Sequence, residues 1–136
     1  ALAEWLEAQG QRERALDQRL QLAREMPRFI PLLAPALARQ AVAEQRTQEV
    51  REILERQALE APSLDVMEAL VVLDQAMGIR DVQARYASHL EKEPSVVAAR
   101  LWVAHEPLQH ESHRVVLERA LERAAQPLRR YRCAAC

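Results

Sequence analysis

Cys133 and Cys136 are the only cysteines of the chain and stand in a C-x-x-C spacing, within Tyr131-Arg132-Cys133-Ala134-Ala135-Cys136. Two thiolates so spaced can turn toward one metal ion, because the two intervening residues let the backbone fold around it as a knuckle. A closed tetrahedral site takes four donors, and thiolates suit zinc or iron. The pair therefore reads as half of a metal site, with the remaining ligands expected outside these 136 residues. Two other readings stay open. A redox dithiol would draw reactivity from a helix N-terminus. The cysteines could also be incidental. Arg129, Arg130 and Arg132 lie close in sequence and favour a thiolate in either chemistry.

A second set of donors is His105, His110, Glu111 and His113. His110 and His113 are one helical turn apart and could share a metal. The set offers no acidic base in an evident pocket, so surface histidines beside a helix start are the simpler expectation, without a stoichiometric metal. No G-x-S-x-G, no phosphate-cradling loop and no believable carboxylate pair is found, so no catalysis is expected. Trp5 and Trp102 fall at apolar-face positions and read as packing residues rather than ligand cages. Charged pairs such as Glu49 with Glu52, or Arg119 with Glu122 and Arg123, read as solvated helix faces.

The elements that must position these groups are helices. Apolar residues make up 49% of the chain, only five residues are aromatic, and Ala, Leu and Val dominate. Small side chains favour close helix packing over a sandwich of β-branched and aromatic residues. Two glycines are too few for many tight hairpins. The net charge of −1 gives no global attraction for nucleic acid or an anionic membrane. The longest strongly apolar run, near Ala69 to Leu73, is far short of the ~20 residues that span a bilayer. No signal peptide is read at the start.

Four prolines, Pro27, Pro62, Pro94 and Pro127, recur at intervals of 35, 32 and 33 residues, and twelve residues before each lies Ala15, Val50, Val82 or Val115. A period near 34 with an apolar anchor and a closing proline is the mark of tetratricopeptide repeats. Each such unit is a helical hairpin that buries its apolar faces only by stacking on its neighbours. The expected fold is thus all-α: a tetratricopeptide-like solenoid of about four hairpins, eight helices, over residues 1–127. Residues 128–136 are a linker and the strand-like start of a metal-binding module.

In the first hairpin Leu2, Trp5 and Leu6 share a face, Gly10 breaks the helix, and Ala15, Leu16, Leu20 and Ala23 point inward before Pro27. The second opens near Arg28-Phe29-Ile30-Pro31, with Leu33, Leu37, Ala38, Ala41 and Val42 in its first helix, then Thr47 as cap and Val50, Ile53, Leu54 and Ala58 as seam. In the third, Ser63 or Asp65 caps, Val66, Ala69, Leu70 and Leu73 are buried, Gly78 ends the helix, and Asp81 caps a second helix burying Val82, Tyr86 and Leu90. The fourth opens at Ser95, with Val97, Leu101, Trp102 and Val103 in its first helix. Its second runs from about Glu111 to Ala125, with either Ala120 or Leu121 inward. The repeats are degenerate, with Val at three of the four anchors. Counting from the anchors places Leu32, Arg39, Leu64, Met67, Val71, Val97 and Arg100 on a concave groove. Such a groove is apolar enough to cover another part of the protein or to grip an apolar segment. A register shift of one residue would make these core residues instead.

Degenerate repeats running into Y-R-C-x-x-C resemble the C-terminal part of the lipopolysaccharide assembly protein family LapB, also called YciM. The resemblance is loose over most of the chain and close from Pro127 to Cys136. It implies an N-terminal membrane anchor before the repeats and a rubredoxin-like domain with two C-x-x-C knuckles after them. Cys133 and Cys136 would form the first knuckle. Anchor and second knuckle are expected outside this chain, so this stretch alone should hold neither iron nor zinc and should be soluble. The resemblance further implies a non-catalytic adaptor at the cytoplasmic face of the bacterial inner membrane. With the protease FtsH it would control degradation of the deacetylase LpxC, and its own rubredoxin-like domain would pack on the repeats.

Overall fold

Three of the four rhythmic prolines end a helix, and the backbone before each shows why. Met26, Ala61 and Glu93 have φ/ψ of −132°/74°, −144°/83° and −127°/79°. These are the extended conformations that a following proline ring imposes on its neighbour. The helices before them therefore stop at Glu25, Glu60 and Lys92. The computed structural model describes residues 2–105 and 111–134. Among these the chain is all-α, with seven α-helices and no strand: α1 (Leu2–Glu25), α2 (Ile30–Ala43), α3 (Thr47–Glu60), α4 (Leu64–Ala76), α5 (Gln83–Lys92), α6 (Val96–His105) and α7 (Glu111–Ala134). A 3-10 turn, Pro27–Phe29, precedes α2.

Two corrections follow, and the first changes the expected eight helices to seven among the described residues. Gly10 does not break α1, which is one helix of 24 residues. Glycine weakens a helix interior by only about 1 kcal/mol relative to alanine, which neighbouring turns can offset. Pro127 does not end α7 either, since that helix runs on to Ala134. Residues 128–134, expected as a linker and strand-like start, are helical here. A proline inside a helix removes one N–H and crowds the carbonyl four residues before it, here that of Arg123.

Other ends follow local chemistry. Ser63 caps α4, its Oγ accepting from Val66 N at 3.3 Å, and Ser95 caps α6, its Oγ accepting from Ala98 N at 3.2 Å. Asp81 Oδ1 accepts from Gln83 N at 3.1 Å and so serves the start of α5. Thr47 lies within α3, and the cap position belongs to Arg46, without a side-chain cap bond. α4 closes on Gly78 at φ 82°, with Ile79 N donating to Asp74 O and Gly78 N to Gln75 O. α2 closes in the same way on Gln45 at φ 58°, with Arg46 N donating to Ala41 O and Gln45 N to Val42 O. Both are Schellman motifs, in which the residue after the cap turns left-handed to satisfy the last carbonyls.

The chain divides into two compact units, residues 1–80 and 81–136. In the first, α4 packs most extensively on α2 and also on α3, while α2 contacts α1 and α3. Its core joins Leu16, Leu20 and Ala23 of α1 to Leu37, Ala38 and Ala41 of α2, Val50 and Leu54 of α3, and Val66, Ala69, Leu70 and Leu73 of α4. In the second, α5, α6 and α7 contact one another pairwise around Val82, Tyr86, Leu90, Ala98, Ala99, Trp102 and Ala120. α4 and α5, expected as the two arms of the third hairpin, thus fall in different units. The anchors Val50 and Val82 are buried, but Val115 is exposed. At α7 Ala120 is the inward residue and Leu121 the outward one.

Candidate partner-binding surface

Cys133 lies in the last turn of α7, and Cys136 lies outside the described residues. The chain has two cysteines, whereas a closed tetrahedral site takes four donors. Among the described residues no group of three His, Cys, Asp or Glu side chains is placed to hold a metal ion. His110 is also outside the described residues. His113 is half-buried and meets the ring of Trp102, centroids 5.5 Å apart and tilted by 58°.

The seven groove residues separate by burial. Leu32 is 78% exposed on α2, and Arg39, two turns on, is exposed on the same face. On α4, Leu64 is half-buried, whereas Met67 and Val71 are buried, so the last two present no open surface. Val97 and Arg100 are exposed on α6, in the second unit. In the first unit the helices α2 and α4 that carry five of these residues do pack together. Trp5, expected to pack, is 60% exposed, while Trp102 is fully buried.

Sequence reasoning missed three arrangements. Arg51 Nε donates to the buried Asp74 at 2.9 Å, joining α3 to α4, and its Nη2 lies 3.5 Å from Glu55. Arg46 bridges Asp17 at 2.6 Å and Glu49 at 2.8 Å, tying the α2–α3 turn to α1 and α3. The bonds to Asp17 and then to Glu49 raise the Arg46 pKa above its ordinary value. In the second unit Trp102 Nε1 donates to Gln83 Oε1 at 2.8 Å, and its ring stacks on Tyr86 with centroids 6.2 Å apart. The hydrogen bonds and ion pairs that join two helices link residues 19 or more apart, and the Tyr86–Trp102 stack links residues 16 apart, beyond any local pattern.

Beside that cluster, α5 and α7 enclose a groove of about 380 Å³ lined by Leu90, Glu91, Val116, Arg119, Ala120 and Arg123. Leu90 and Ala120 are buried, Val116 is half-buried, and the three charged residues are exposed. The arrangement is an apolar floor with two guanidiniums along one wall and a carboxylate on the other. No protein family, curated protein or solved structure matches the chain. Its class thus rests on its own coordinates: an all-helical protein in two units, whose described surfaces offer grooves and apolar patches.

Proposed function

We propose that the chain is a non-catalytic adaptor, a degenerate tetratricopeptide-like helical scaffold resembling the LapB family. In this reading the full-length protein promotes FtsH-dependent degradation of LpxC at the cytoplasmic face of the bacterial inner membrane. The observation that carries it is the Tyr131-Arg132-Cys133-x-x-Cys136 motif behind an all-helical stretch. Support comes from the all-α architecture and from Pro27, Pro62 and Pro94, each following a helix end at the repeat interval. Among the described residues no helix is long and apolar enough to cross a membrane, so the reading places attachment in an anchor outside them.

Iron or zinc would be structural, ordering a small module through four thiolates of which Cys133 and Cys136 are two. A redox dithiol is less favoured, because such pairs usually open a helix in a strand-helix-strand setting, whereas the described residues form helices and no strand.

The test is the lifetime of LpxC in the source bacterium after depletion of the full-length protein. A longer lifetime and rising deacetylase are expected. An unchanged lifetime would remove the regulatory role and leave a peptide-binding helical module.

A further inference from the structure

We infer that the groove between α5 and α7 binds a peptide segment carrying a carboxylate beside an apolar side chain. The charge pattern of its lining is the argument. Two of its six lining residues are arginines and one is a glutamate, over an apolar floor. Arg119 and Arg123 belong to no ion pair or side-chain hydrogen bond among the described residues, although Glu118 and Glu122 are close in sequence. They stand one helical turn apart on α7, so both guanidiniums flank the same stretch of floor. A guanidinium holds five donors in a planar fork that matches a carboxylate with two parallel bonds.

The floor sets the second half of the ligand. Leu90, Val116 and Ala120 are apolar, and Leu90 and Ala120 are buried beneath the groove. An aliphatic side chain laid there leaves water while its neighbouring carboxylate reaches the arginines. Glu91, alone on the α5 wall, repels a polyanion and accepts main-chain N–H groups. Two cations against one anion suit a segment with one or two carboxylates better than a phosphate backbone. The rim is exposed, so a chain can pass through.

This goes beyond the adaptor reading, and its test is independent of LpxC. The whole chain is titrated against a fluorescein-labelled octapeptide, Gly-Ser-Leu-Asp-Leu-Glu-Gly-Ser, by anisotropy. A control peptide carries Asn and Gln for the acids. The acidic peptide should bind about tenfold tighter or more, a gap of about 1.4 kcal/mol. The double variant Arg119→Gln/Arg123→Gln should lose that preference while keeping the helical circular dichroism spectrum and melting of the parent. Amide shifts on titration should centre on Leu90, Val116 and Ala120. Equal binding of both peptides, unchanged binding by the double variant, or shifts centred elsewhere would overturn the proposal. Displacement by inorganic phosphate alone would also overturn it, since recognition would then lie in charge without the apolar floor.

Discussion

Gln45 sits at φ 58°, a left-handed conformation that costs a non-glycine residue about 1–2 kcal/mol. The same motif at the end of α4 uses Gly78. Gln45→Gly relieves that cost but adds freedom to the unfolded chain, leaving a net gain of roughly 0.5–1 kcal/mol. The denaturation midpoint should rise, and a lower one would show that the Gln45 side chain contributes more than its backbone costs. Trp102 is the opposite case, buried and bonded through Nε1 to Gln83. Trp102→Phe keeps an aromatic ring beside Tyr86 and removes that bond, at a cost of about 1–2 kcal/mol. Chemical denaturation followed at the helices of the second unit reads this directly, and a neutral substitution would mean that ring packing alone holds the cluster. Trp102 was legible as a packing residue, but neither its bond to Gln83 nor the turn at Gln45 is announced in the sequence. A helix end at glutamine lacks the usual glycine signal, and Gln83 reaches Trp102 across 19 residues.

At the scale of elements, what was legible was local. Pro27, Pro62 and Pro94 act on the residue just before them, and the apolar stripes of α3, α4 and α5 repeat within one helix, so both could be read directly. The errors came where a local signal is weak against its neighbours. Gly10 has 23 other residues of α1 around it, and its open surroundings place no atom within 4 Å of an added Cβ. Gly10→Ala should therefore stabilise α1 by about 1 kcal/mol through helix propensity alone. Increased helicity by circular dichroism and a raised midpoint are expected. A fall would mean that Gly10 forms the turn of a helical hairpin after all. Of the candidate groove, the repeat count placed five residues on α2 and α4, helices that pack together. It did not tell exposed Leu32 from buried Met67 and Val71, because burial depends on which helix lies opposite. The arginine-flanked groove was not legible, since it needs the pairing of α5 with α7.

At the scale of the molecule, the division into residues 1–80 and 81–136 separates the titratable groups unevenly. All four histidines, His89, His105, His110 and His113, belong to the second unit. His89 is 93% buried in α5, with 7% of its surface exposed. Burial pushes its pKa below the ordinary 6.5, opposed by nearby Glu93 and assisted by Lys92. A depressed folded pKa means that the unfolded chain binds the proton more readily. The stability tied to neutral His89 is therefore present in full above 6.5 and lost as pH falls below it and through the folded pKa. One proton changes stability by at most ~1.4 kcal/mol per pH unit. The first unit has no histidine, and carboxylates titrate lower, so its stability should stay flat over the same window. Hydrogen-exchange protection factors measured between about pH 8 and 5.5 separate the two units within one chain. Protection in α5, α6 and α7 should decline toward the acid end while α2, α3 and α4 hold constant. His89→Gln should flatten the second unit's profile, because glutamine takes up no proton over this range. A parallel decline in both units would show that they unfold as one cooperative body, and a decline that survives His89→Gln would move the proton to another histidine.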